Sequence, residues 1–219
     1  MGEFHALLVE GVPGIGKSTL IDGLIRRHVD SSDARRIRSF LHLAQSHTYG
    51  PLAPAEDRGT LMPSENARLL DRLVGILEVM HDDLRHCDKP CFVVIDTLHL
   101  THCLRPGVIA WQDAAPFDLR LERIGCRLLL LVGNEETLRA RTVDARRGSQ
   151  FLDEYALKFG QTPEAIHRHF VGEQVAFRNL FERSALEKRV FENDGTLDTI
   201  VGEAYEFWTQ KEAKSALIG

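Results

Sequence analysis

The chain has 219 residues, 43% of them apolar, with 27 Lys and Arg against 32 Asp and Glu for a net charge of −5. That length fits one large α/β domain, and the apolar fraction supplies a sizeable core. An acidic balance of this size gives no global attraction to nucleic acid or to an anionic membrane, so neither is expected as a partner. No run of 18 apolar residues and no basic leader is present, which reads as a cytosolic protein.

Residues Phe4–Glu10 form the first strand candidate, and residues 17–29 follow as a helix with Leu20, Ile21, Leu24 and Ile25 on one face. Between them lies the stretch that carries the most chemistry, within "LLVEGVPGIGKSTLIDGLI" at residues 7–25. Gly11, Val12, Pro13, Gly14, Ile15, Gly16, Lys17 and Ser18 satisfy G-x-x-x-x-G-K-[ST], and Thr19 follows. A chance match is expected in roughly three per thousand sequences of this composition, fewer once a strand before and a helix after are required. Glycines let the backbone bring N–H groups up to phosphate oxygens, and the helix that starts at Lys17 aims its dipole at the same anion. Lys17 then serves the β- and γ-phosphates and the Ser18 hydroxyl serves Mg²⁺. Glu10, directly before the loop, is a candidate for the metal or for fixing the loop.

Residues 36–43 are a weaker strand. Residues 44–62 show no clear period and contain Gly50, Pro51, Pro54 and Gly59, so they read as a long functional loop. A long helix is expected over 64–86, capped by Ser64, with Leu69, Leu70, Leu73, Val74, Leu77, Met80 and Leu84 as its apolar stripe. "CFVVID", Cys91–Asp96, and "RLLLLV", Arg127–Val132, are continuous apolar runs, the pattern of parallel strands buried on both faces. Asp96, at the carboxyl end of the first of these, is the best candidate for the second acid near Mg²⁺ and for a general base.

Further on, 134–146 reads as an arginine-rich helix and 151–159 as a short helix stopped by Gly160. Thr162-Pro163-Glu164 starts a helix running to about 183. Residues 189–192 are a last strand and 196–208 a last helix. Arg141, Arg146 and Arg147 have the spacing to cover charge that develops on a transferred phosphoryl group, on a lid over about 139–160 that excludes water. Asn193, Asp194 and Gly195 form a turn that either passes over an adenine face or only precedes a helix capped by Thr196. His99, His102 and Cys103 are poorly spaced for zinc and lack a fourth ligand, so no metal is expected there. Strand–helix alternation implies a parallel sheet with helices on both faces.

"VEGVPGIGKSTLI" resembles the opening of the thymidylate kinase and deoxynucleoside kinase branch of P-loop kinases. "GNEETLRARTVDARRG" at 133–148 is similar to the segment that leads into that branch's arginine lid, and "ENDGTLDTIV" to its adenine-side turn, where Asn193 and Gly195 would meet the nucleotide. The resemblance implies a three-layer P-loop fold with a five-stranded parallel sheet in the order 2-3-1-4-5. It also implies Mg-ATP as donor and a small acceptor opposite the glycine loop. Asp96 is followed by Thr97 rather than the branch's arginine, and "QSHTYGPLAPAEDRG" stands at 45–59 in place of its acceptor element. The acceptor pocket is therefore expected to draw on Gln45, His47, Tyr49, Glu56, Asp57, His99, His102, Arg105 and Trp111, a polar set suited to a nucleoside, nucleotide or sugar-like alcohol. The reading is an ATP-dependent small-molecule kinase. The alternative is a P-loop NTPase acting as a switch or regulatory module. A homodimer is compatible with either.

Overall fold

A computed structural model describes residues 3–31, 39–84, 86, 90–104, 109–146, 148–160, 162–194 and 196–210. In chain order the elements are β1 (Phe4–Glu10), α1 (Lys17–Ser31), β2 (Ser39–Leu43), α2 (Gln45–Thr48), α3 (Ala53–Asp57), α4 (Pro63–Leu84) and β3 (Cys91–Asp96). They continue with α5 (His99–Leu104), α6 (Trp111–Arg123), β4 (Arg127–Val132), α7 (Glu135–Thr142), α8 (Gln150–Phe159), α9 (Pro163–Arg183), β5 (Glu187–Glu192) and α10 (Leu197–Thr209).

The five strands form one parallel sheet in the order β2-β3-β1-β4-β5. The central strands β3 and β4 are buried at every position, as their unbroken apolar runs require. β5 is an edge strand that alternates exposed and covered residues and begins two residues before the expected 189–192, at Glu187 and Lys188. Charged residues are tolerated there because an edge strand has a wet side. Helices α1 and α10 pack on each other and on β1, while α4 packs on α6, α5 on α6 and α9, and α9 on β4. The core runs through Leu7, Leu8, Val93, Val94, Leu129 and Leu130, all 0% exposed, and closes over Trp208 and Phe170.

Two stretches differ from the sequence expectation. The 44–62 loop is a strap built from α2, a 3₁₀ turn at Gly50–Leu52 and α3, with Tyr49, Leu52 and Leu61 forming their own small apolar cluster against Leu69. The segment after β3 holds two helices that periodicity did not reveal. α5 has only six residues, and α6 carries Pro116 inside it and buries a carboxylate, Asp118, on its core face. α4 starts at Pro63, so Ser64 lies within its first turn and is not its cap; the Glu65 carboxylate instead accepts from Met62 N–H at 3.2 Å. The expected helix over 134–146 is α7 followed by a 3₁₀ turn at Asp144–Arg146.

Candidate nucleotide and phosphoryl-transfer site

The glycine loop leaves the carboxyl end of β1 at the middle of the sheet. Its two apolar residues, Val12 and Ile15, are fully buried and pin it from below. Gly11 and Gly16 sit at φ 145° and 111°, where side chains are strained. A Cβ on Gly11 would lie 2.4 Å from the Leu131 carbonyl of β4, and one on Gly16 would lie 3.0 Å from Asn193 Nδ2 and 3.2 Å from Arg141 Nη1. Only glycine therefore lets the loop backbone come this close to β4, Asn193 and Arg141, and a loop without side chains at these positions can present its amides to a polyphosphate. α1 begins at Lys17, so its first amides join those of the loop. Lys17 is 8% exposed, and its ammonium donates to Gly11 O at 2.7 Å and Val12 O at 3.1 Å. Ser18 and Thr19 are exposed beside it.

Asp96 ends β3, whose residues pair with β1 so that Val9 lies opposite Asp96. It is 7% exposed, and its Oδ1 is buried without a hydrogen-bond partner. Burial raises its pKa above the ordinary carboxylate value, against the opposing pull of Lys17 and His42. A carboxylate oxygen without a hydrogen-bond partner and the exposed Ser18 hydroxyl are oxygen ligands of the type a hard divalent cation takes.

The arginines arrive from the far side. Gln174 on α9 grips Gly133 at both backbone atoms, 2.9 Å from its N–H and 2.8 Å from its O. This fixes the turn after β4, and Asn134 then caps α7 by accepting from Thr137 N–H. The helix so anchored brings Arg141 to Gly16, and the following turn brings Arg146 Nε within 3.4 Å of a Cβ position on Gly14. Arg139, by contrast, pairs on the surface with Asp144 and Glu164. Arg147 lies outside the described residues.

Several expected site residues take other work. Glu10 is fully buried, and its carboxylate caps α5: Oε1 accepts from Leu98 N–H at 2.8 Å and Leu100 N–H at 3.2 Å, and Oε2 from the Thr101 hydroxyl at 2.6 Å. That use of both oxygens replaces its reading as a metal ligand. Asn193 is 1% exposed and donates to Ile15 O at 2.7 Å, so it holds the glycine loop and not an adenine face. Gly195 lies outside the described residues. Asp194 accepts from both the N–H and hydroxyl of Thr196, the simple turn left open by the sequence.

Of the residues expected to line an acceptor pocket, Gln45 and His47 are exposed on α2, close to the end of β3, and Glu56 and Asp57 belong to α3. Asp57 lies 3.9 Å from Lys158, so the strap meets α8. His99 and His102 are fully buried and cannot line an open pocket. His99 pairs with Asp118 at 2.8 Å, and His102 Nε2–H donates to Thr48 O at 3.1 Å while its Nδ1 sits against the Asn66 carboxamide. Tyr49 is buried in the strap cluster, Trp111 is half-buried below Arg183, and Arg105 lies outside the described residues. Thr48 and Thr97, which touch at the end of β3, were not singled out by sequence. Only the oddity of a threonine where the resemblance had an arginine marked the place.

Sheet order, glycine loop and helix start together define the three-layer P-loop NTPase fold. No protein-family model matches the chain, and no curated protein matches it. Among solved structures, the YorR protein of Bacillus subtilis, in complex with phosphorylated GDP, is similar over 92% of this chain and 94% of its own, with TM-score 0.56 and 11% identity. EHV4-TK complexed with TP4A is similar over 95% of this chain and 91% of its own, with TM-score 0.44 and 13% identity. The likeness to YorR is one of fold. Among the described residues no helix is long and apolar enough to cross a membrane.

Proposed function

We propose that the protein is a P-loop phosphotransferase that moves the γ-phosphate of Mg-ATP to a small-molecule acceptor. The observation that carries this reading is the convergence of Arg141 and Arg146 on the glycine positions of the loop that also holds Lys17. Three cations of one chain around one phosphate cradle supply the charge that a loose phosphoryl-transfer transition state needs on its equatorial oxygens. A switch that waits for a partner has less use for arginines already in place.

In this reading the loop amides and Lys17 bind the polyphosphate, and Arg141 and Arg146 hold the transferring group and exclude water. Ser18 and Asp96 would hold Mg²⁺, which when bound neutralises and orients phosphate oxygens. Where the acceptor is an alcohol, its oxygen forms the new bond to phosphorus as the bridging bond to ADP breaks, and Asp96 takes the proton. The acceptor enters between Asp96 and α2, where Gln45 and His47 are exposed. Nucleosides, nucleoside monophosphates and sugar alcohols are the classes to try.

The test is ATP turnover with and without a panel of these acceptors, beside Lys17→Ala. Slow hydrolysis should accelerate with the right acceptor and yield its phosphorylated form, and Lys17→Ala should lose the calorimetric heat of Mg-ATP binding. No heat with millimolar Mg-ATP or Mg-GTP overturns the nucleotide site. Turnover indifferent to every small acceptor favours the switch.

A further inference from the structure

A buried hydrogen-bond path joins the strap to the main chain of Asp96 at the end of β3. α2 is a single turn whose first three side chains, Gln45, Ser46 and His47, are exposed, while the fourth, Thr48, is fully buried. The Thr48 hydroxyl donates to the main-chain O of Asp96 at 2.9 Å and lies 3.3 Å from the Thr97 hydroxyl. Thr97 has φ 62°, the left-handed region that a β-branched residue enters only when its surroundings hold it. What holds it is its own N–H, which donates to Val9 O at 3.0 Å, and Thr48. Thr48 is itself held from behind. Its carbonyl accepts from His102 of α5, and the His102 carbonyl accepts from Asn66 Nδ2 of α4 at 3.1 Å.

The Asp96 carboxylate, in contrast, has no hydrogen bond on its buried Oδ1. No hydrogen bond on that oxygen fixes the side chain, so the polar contacts that place it are those on the main chain of residues 96 and 97, from which it starts. We infer that Thr48 is the positioning residue for Asp96, and that α2 couples occupancy of the acceptor side, through Thr48, to the aim of that carboxylate. The inference rests on the phosphotransferase reading for the role of Asp96. It adds the element that makes the Mg²⁺-holding geometry depend on the strap. Movement of α2 by a bound acceptor at Gln45 or His47 acts one or a few residues away from Thr48, with no intervening flexible segment.

The experiment compares wild type, Thr48→Val, Thr48→Ser, Thr97→Gly, the double variant Thr48→Val/Thr97→Gly and Asp96→Asn as reference. ADP affinity is measured by calorimetry with and without Mg²⁺, so that a readout exists before any acceptor is known. Thr48→Val should keep Mg²⁺-free ADP affinity within about twofold and lose about tenfold of the Mg²⁺-dependent gain, the size of one lost hydrogen bond. Asp96→Asn should lose the same gain, and Thr48→Ser should restore it. Thr97→Gly removes the cost of the left-handed conformation, so the double variant should recover most of what Thr48→Val alone loses. A merely structural threonine gives no such rescue. Thr48→Val with its Mg²⁺ gain intact, or a double variant no better than the single one, overturns the proposal. If Thr48→Val does not fold, Thr48→Ala, which also removes the hydroxyl, stands in for it: it should lose the Mg²⁺ gain that Thr48→Ser keeps, and an intact gain in Thr48→Ala overturns the proposal. Wild type that binds no ADP at all overturns the phosphotransferase reading and this inference with it. Wild type that binds ADP without any Mg²⁺ gain overturns the inference alone.

Discussion

Arg146 illustrates how little of a side chain's role lies in its own position. It stands on a 3₁₀ turn whose carbonyl accepts from the Ser149 hydroxyl and N–H, and that turn aims its guanidinium at Gly14. Arg146→Ala should lower acceptor-dependent turnover by about a hundredfold, the usual loss for one preorganised transition-state donor, while ADP affinity changes far less. The check is a split between kcat and nucleotide Kd. Asp96 gives a pH signature. Burial holds its pKa above the ordinary carboxylate value, and under the proposed function the ionised form is the one that would serve Mg²⁺ or accept a proton. Mg²⁺ has to displace that proton, so the Mg²⁺-dependent gain in ADP affinity should fall on acidification through that raised value, earlier than for an exposed aspartate. A pH profile of that gain with the acid limb unchanged in Asp96→Asn would remove Asp96 from the proposed metal site.

At the scale of elements, Glu10 and α5 depend on each other. A six-residue helix cannot stand on its own hydrogen bonds, and Glu10 satisfies its first donors from the strand beneath. Glu10→Gln should cost about 1–2 kcal/mol in urea denaturation and leave the Mg²⁺ dependence of ADP binding as it is. Loss of that dependence with unchanged stability would return Glu10 to the metal. The sequence placed an acid before the loop correctly, but the helix that claims it lies 88 residues away in the chain. The same holds for Asn193, legible as a turn residue and committed by the fold to Ile15 O. α6 was illegible for another reason: Pro116 argues against a helix interior, and the polar Asp118 on the buried face breaks the apolar stripe.

For the molecule as a whole, buried titratable groups set the response to acid. His102 is pushed down to about 4 by burial, with the Thr48 carbonyl opposing. Its folded pKa lies below the unfolded 6.5, so the unfolded chain takes up the proton first and stability is lost as pH falls from 6.5 toward 4. Burial also pushes the Asp118 carboxyl up, but its bonds from His99, Ser184 and Ala185 N–H outweigh that and hold it below the ordinary range. Its share of stability is present above pH 3.8 and is lost below that. Asp96, raised, acts with the opposite sign, since protonation relieves its burial cost. Urea denaturation should show stability falling by up to about 3 kcal/mol between pH 6.5 and 4. His102→Gln should flatten that fall, and an unflattened curve would assign it to other groups. Asp118→Ala should cost about 3–5 kcal/mol at neutral pH, because it strips the acceptor from three donors that join α6, α5 and the lead into β5.

The glycine loop, the two fully apolar strands and the amphipathic helices were written in the sequence because each is decided within a few residues. Steric freedom, burial on both faces and helical periodicity are local properties. What only the tertiary structure decided is where polar side chains spend their hydrogen bonds. Glu10 serves α5, Asn193 serves the loop, His99 and His102 are sealed inside, and Thr48 reaches the end of β3. A buried polar group must find a partner, and in a parallel sheet with long crossovers that partner comes from a segment distant in sequence.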